Sequence, residues 1–190
     1  MTVTTPAAAA ATLAAAALSI PPLRSLIEQS MTWHMVVQMP LLVLAGALMG
    51  RALRKRLAWP TLASFNHFGL TGFMAAQAMV AYWMLPSAID RAVVNPGIDA
   101  LKLLTLFISG VLLHDAFRRA PVALQLFFIG YWVSMMCWLG IYLATTDLRL
   151  CNAYSLQSQV STGGGLLALG LLLGAVWVAV TWRSILNIAI

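Results

Sequence analysis

Apolar residues run along this chain in long unbroken blocks, without the strict alternation of a half-buried strand. The first block, Met31 to Gly50, reads MTWHMVVQMPLLVLAGALMG. Roughly 20 such residues cross the hydrocarbon of a bilayer as a helix. Four further blocks follow at about 61–86, 98–117, 121–146 and 161–182. Inside lipid every backbone N–H and C=O must be paired within its own segment, so continuous apolar blocks predict helices. The fold expected is all-α: an integral membrane helical bundle of about five transmembrane helices.

Smaller signals refine this pattern. Pro40 interrupts the first block and removes one helical hydrogen bond, which predicts a kink there. Gly46 and Gly50, four apart, allow a close helix crossing, although such spacing also arises by chance. The run from Ala7 to Ile20 would reach only about 21 Å as a helix, short of the roughly 30 Å hydrocarbon core. It is expected to lie at the membrane surface or to be loosely ordered. No positive charge precedes Arg24, so the basic start of a signal peptide is missing. Pro21 and Pro22 stop the run, and Leu23, Leu26 and Ile27 beside Arg24 and Glu28 predict a short interfacial helix. The organisation expected is an N-terminal segment 1–30, a five-helix domain 31–183 and a tail 184–190.

Composition agrees with lipid as the solvent. The chain is 62% hydrophobic and only 8% charged, where soluble domains carry about 25% charged residues. The net charge of +6 comes from residues in short loops between apolar blocks, which is topogenic charge and not a nucleic-acid-binding surface. Arg51, Arg54, Lys55, Arg56, Arg118, Arg119 and Arg183 fall on one side; Arg24, Arg91, Lys102 and Arg149 fall on or near the other. That bias predicts an extracytoplasmic N-terminus, a cytoplasmic C-terminus and a multi-pass protein of a bacterial inner membrane, with lipid as its first partner. Cys137 falls mid-span and Cys151 in an outer loop, too far apart to form a disulfide.

Candidate chemistry gathers at the two membrane faces. At the outer face, Met31, His34, Met35 and Gln38 share one helix stripe. Met84, which follows Trp83 at the end of the second block, and Gln159, at the start of the fifth, reach the same face. Thioether and imidazole donors suit Cu(I). Methionine is equally an ordinary filler of apolar interfaces, and His34 could bond headgroups or a carbonyl. At the inner face, His67 and His114, the latter beside Asp115, could be axial ligands of a b-type haem, a proton-active pair, or plain headgroup-level residues. No nucleophile elbow or phosphate-binding loop is present, and Gly163–Gly165 lacks the lysine of one, so the chain is not expected to be an enzyme.

Taken together, His34–Met39 (HMVVQM), Trp83–Pro86 (WMLP), Asp90 in D-x-A-V, Tyr154, and Gln159 with Gly163 in Q-x-x-x-G resemble the CtaG-type cytochrome c oxidase assembly factors. The likeness spans roughly residues 31–182, corresponding to the last five of that family's usual seven spans. It implies a copper-handling factor or metallochaperone that serves haem–copper oxidases; with the soft donors on the same outer face, this gives an expected periplasmic-side Cu(I) site of His34, Met35, Met31 and Met84. Asp90 and Gln159 would be motif residues beside it. The chain departs from the family pattern at three places: Gln38 and Met84 replace histidines, and Ser158 replaces an aspartate. Those losses motivate an alternative, a non-catalytic accessory subunit of a larger membrane respiratory or metalloenzyme complex. A b-haem electron-transfer subunit using His67 and His114 is the third reading.

Overall fold

The computed structural model describes residues 27–53 and 66–186, together with Pro6, Ala9, Ala10, Leu13 and Ile20. Most of the alanine-rich run, the interfacial Leu23 and Leu26, the basic Arg54, Lys55 and Arg56, and residues 187–190 lie outside the described residues.

The described residues are helical and contain no strand. A π-helical stretch, Trp33–Gln38, leads into α1, Met39–Leu53. A short 3₁₀ turn, His67–Gly69, opens α2, Leu70–Trp83. Next come α3, Pro86–Val94, and α4, Pro96–Arg119. The chain closes with α5, Val122–Thr145, and α6, Leu156–Leu186. Among the described residues, four helices are long and apolar enough to cross a membrane (the first running from the π-helical stretch through α1, Trp33–Ala52), and a fifth results if the bent pair His67–Trp83 and Pro86–Val94 counts as one span.

The anticipated disturbance at Pro40 takes the form of the π-helical stretch just before it. Proline cannot donate to the carbonyl four residues back, so the preceding turn is free to widen. Along this element Met31, His34, Met35, Gln38, Met39, Leu42 and Ala45 are all buried, so the stripe expected from the sequence faces the bundle.

The second block differs from a single span followed by a loop. Helix α2 stops at Trp83, and α3 departs at 71°. Pro86 sits at the start of α3 and holds Leu85 in an extended conformation (φ −72°, ψ 129°), so one helix cannot run through. Asp90 therefore lies on a helix. Asn95 alone separates α3 from α4, and its side chain caps α4 by accepting from the N–H groups of Gly97 and Ile98. Helix α4 thus begins early enough to carry Asp99 and Lys102 in its first two turns. Both are buried, where the sequence reading counts Lys102 only as a charge on or near the outer side of the 98–117 block.

Close backbone crossings hold the bundle. A Cβ on Gly46 would strike the carbonyl of Phe107, and one on Gly110 the carbonyl of Val43, so α1 and α4 meet backbone to backbone. On α5 and α6, Gly140 and Gly163 do the same; a Cβ on Gly140 would lie 2.7 Å from the Gly163 carbonyl oxygen. Small residues suit helix contacts in lipid because they let backbone dispersion and weak C–H···O contacts form. Tyr131, Trp138 and Tyr142 are exposed on α5, as lipid-facing aromatics would be. Cys137 and Cys151 are both free thiols.

Candidate functional site

The end of the bundle that carries His34 holds a buried polar cluster. It is assembled by the π-helical stretch, the start of α4 and the 146–155 connection. Asp99 and Lys102 are three apart on α4 and share a face. The Lys102 ammonium is fully buried and lies 2.7 Å from Asp99 Oδ1, 3.5 Å from Glu28 Oε1 and 3.0 Å from His34 Nε2. The other ring nitrogen of His34, Nδ1, lies 3.0 Å from the Tyr154 hydroxyl.

These contacts fix the protonation pattern. An ammonium has donors only, so His34 Nε2 must accept from Lys102. A neutral imidazole that accepts at Nε2 carries its proton on Nδ1, which donates to the Tyr154 oxygen. Burial, reinforced by the nearby Glu28, Cys151, Asp90 and Asp99, pushes Tyr154 above its ordinary value, so it stays a phenol.

Tyr154 is held in place by its own connection. Arg149 Nε donates to the Tyr154 carbonyl at 2.7 Å, and Arg149 Nη2 to the Asn152 carbonyl at 2.7 Å. The Asp90 carboxylate accepts the N–H groups of Asn152 at 3.0 Å and Ala153 at 3.2 Å. The Gln159 amide accepts from Leu150 N–H at 2.9 Å and donates to the Leu148 carbonyl at 3.0 Å. Asp90 and Gln159 thus anchor backbone and do not reach toward His34. Ser158, at the position where the resembled family carries aspartate, accepts from Met31 N–H at 2.9 Å and ties α6 to the first helix.

The sulfur donors are buried nearby. Met31, Met35, Met84 and Cys151 belong to one hydrophobic cluster with Trp83 and Tyr154. Trp83 also donates from Nε1 to Thr105 Oγ1 at 2.8 Å. Burial, helped by Asp90, pushes the Cys151 thiol up to about 11, which keeps it protonated at neutral pH. Gln38 is fully buried one turn on from His34.

Thioethers suit a cuprous ion, but the imidazole as arranged does not fit one. Its accepting nitrogen already faces an ammonium at 3.0 Å. A second cation on that nitrogen would sit within about 4 Å of the first, a repulsion of about 4 kcal/mol at an effective dielectric of roughly 20. Among the described residues, no three His, Cys, Asp or Glu side chains stand close enough to hold a metal; thioethers are outside that comparison.

At the opposite end, His67 is exposed, its ring edge-on to Phe68 at 4.2 Å. His114 is half-buried on α4, opposite Gly50 of α1. Asp115 accepts from Asn66 Nδ2 at 3.0 Å and from Arg119 Nε at 2.7 Å.

Sequence reasoning places His34 and its methionines on one helix stripe without fixing which way that stripe faces, and misses Lys102, Asp99, Glu28 and Tyr154 as its neighbours. One signal was available: Asn95-Pro96 is a cap followed by a first-turn proline. Starting α4 there puts Asp99 and Lys102 inside a helix. Comparison of the chain with protein-family models, with characterised proteins and with solved structures finds no match.

Proposed function

We propose that this chain is a multi-pass protein of a bacterial inner membrane, N-terminus outside and C-terminus inside, that serves as a non-catalytic accessory subunit of a larger membrane respiratory or metalloenzyme complex. The observation that supports this reading is the engagement of both His34 ring nitrogens, by Lys102 and by Tyr154. An imidazole used this way joins the first helix, α4 and the 146–155 connection into one rigid end. It offers no lone pair to a guest. The motif residues Asp90, Ser158 and Gln159 likewise hold backbone in place. The test is purification of the tagged chain in mild detergent, as wild type and as a His34→Ala/Met84→Ala variant. A partner complex that stays attached and active in both supports the reading. A chain that runs alone overturns it.

A second reading, a copper-handling factor for oxidase assembly, is favoured by the burial of Met31, Met35, Met84 and Cys151 in one cluster. Its site would use His34, Met35, Met31 and Met84, with Lys102 displaced. Cu(I) competition titrations under reducing conditions decide it. Equal stoichiometry and affinity in wild type and the double variant would end it.

A further inference from the structure

The most unusual group in the described residues is the fully buried ammonium of Lys102. It is engaged by three groups from different parts of the chain: it is hydrogen-bonded to His34 Nε2 at 3.0 Å and Glu28 Oε1 at 3.5 Å, and it forms an ion pair with Asp99 Oδ1 at 2.7 Å. One imidazole nitrogen and two carboxylates are also the donor types that bind divalent zinc. They surround one point, standing farther apart than a metal ion requires, and the Lys102 ammonium, tethered to α4, occupies that point.

We infer that the His34–Asp99–Glu28 cluster is a cation site and that Lys102 is its built-in cation, which keeps metal ions out. Charge explains the arrangement. Two buried carboxylates without a cation would be strongly destabilised, and one ammonium offsets the greater part of that cost. A metal ion would satisfy the same donors, but its bonds are about 2 Å long, so the donors would have to draw inward. They cannot while the Lys102 side chain stands between them. The Glu28 side chain is 10% exposed, so the cluster lies one side chain below the surface and an ion could reach it. The inference concerns the isolated chain and stands apart from the accessory-subunit reading, which depends on a partner.

The test is zinc binding to the purified full chain, measured by competition with a chromophoric chelator, with thermal unfolding followed with and without zinc. Three proteins are compared: wild type, Lys102→Ala, and Lys102→Ala/His34→Ala. Removing the ammonium should tighten zinc binding by more than about a thousand-fold, since a unit charge about 4 Å from a divalent ion is withdrawn. The single variant should bind one ion and gain thermal stability from it, and the double variant should lose both effects. Wild type should bind no stoichiometric zinc. Should Lys102→Ala not fold, Lys102→Met, which keeps the volume of the side chain, takes its place in the same titration. Zinc bound by wild type and lost on His34→Ala would overturn the inference, and so would a folded lysine variant that binds zinc no better than wild type. Loss of a partner complex in any of these proteins bears only on the accessory-subunit reading.

Discussion

Asp99→Asn is the most informative single perturbation of stability. In the native cluster Asp99 Oδ1 lies 2.7 Å from the buried Lys102 ammonium. At an effective dielectric of about 20 that contact carries roughly 6 kcal/mol of attraction, which the desolvation of both ions largely offsets. Neutralising one partner removes the attraction and leaves the desolvated ammonium behind, which typically costs about 3–5 kcal/mol. Glu28 at 3.5 Å compensates in part, so the lower end, about 3 kcal/mol, is expected. In a chain of this size that lowers Tm by about 6–12 °C. The assay is thermal unfolding of the purified protein in one detergent, followed by tryptophan fluorescence. A second variant, Asp99→Asn/Lys102→Met, removes both charges and should recover to within about 1 kcal/mol of wild type. A single variant within about 0.5 kcal/mol of wild type would refute the reasoning, as would a double variant no better than the single.

Other consequences are open to measurement. Gly46→Ala places a Cβ against the Phe107 carbonyl and should cost about 1–3 kcal/mol through forced separation of α1 and α4, seen as a lower Tm in the same assay. Gln159→Ala strips partners from the Leu150 N–H and the Leu148 carbonyl; a loss of about 1–3 kcal/mol and faster hydrogen exchange over residues 148–150 are expected. Cys151, raised from an ordinary 9.0 to about 11, should alkylate far more slowly in the folded protein than in the denatured chain at pH 8. Between pH 9 and 11 the unfolded thiol releases its proton while the folded one keeps it, so stability should fall as pH rises through that interval and be unaffected by this group below it. Cys151→Ala should remove that part of the slope.

How much of this was legible in the sequence depends on which physics governs each element. The helical blocks are plain because unbroken apolar runs of this length can pair their backbone groups in an apolar surrounding only as helices. The stripe is equally plain, since Met31, His34, Met35 and Gln38 repeat at helical spacing; that it faces the bundle, with all four buried, is not written in that spacing. The break at Pro86 was legible in kind, yet a hydropathy block does not record that the chain re-enters a helix after turning, so α3 was missed. The site was half legible. His34 stood out as a polar group in a span, but its partners are far away in sequence: Lys102 and Tyr154 lie 68 and 120 residues on. Charge counting by side assigns a lysine near a span end to the loop. Only the cap at Asn95 and the crossing of Gly46 with Gly110, which together set the depth and rotation of α4, turn that lysine inward. Gln159 and Asp90 were noticed as motif residues, and their work as backbone anchors depends on the path of the 146–155 connection, which no local pattern encodes.

Every step from fold to site depends on His34 being a neutral imidazole with its proton on Nδ1, accepting from Lys102 at Nε2. Nitrogen NMR of the ¹⁵N-histidine-labelled protein in detergent at neutral pH reads this directly. His34 should show a protonated Nδ1 and an unprotonated, hydrogen-bonded Nε2, and Lys102→Met should shift the Nε2 signal toward that of a nitrogen without a charged donor. A proton on Nε2, or a doubly protonated ring, in the wild-type protein would contradict that pattern.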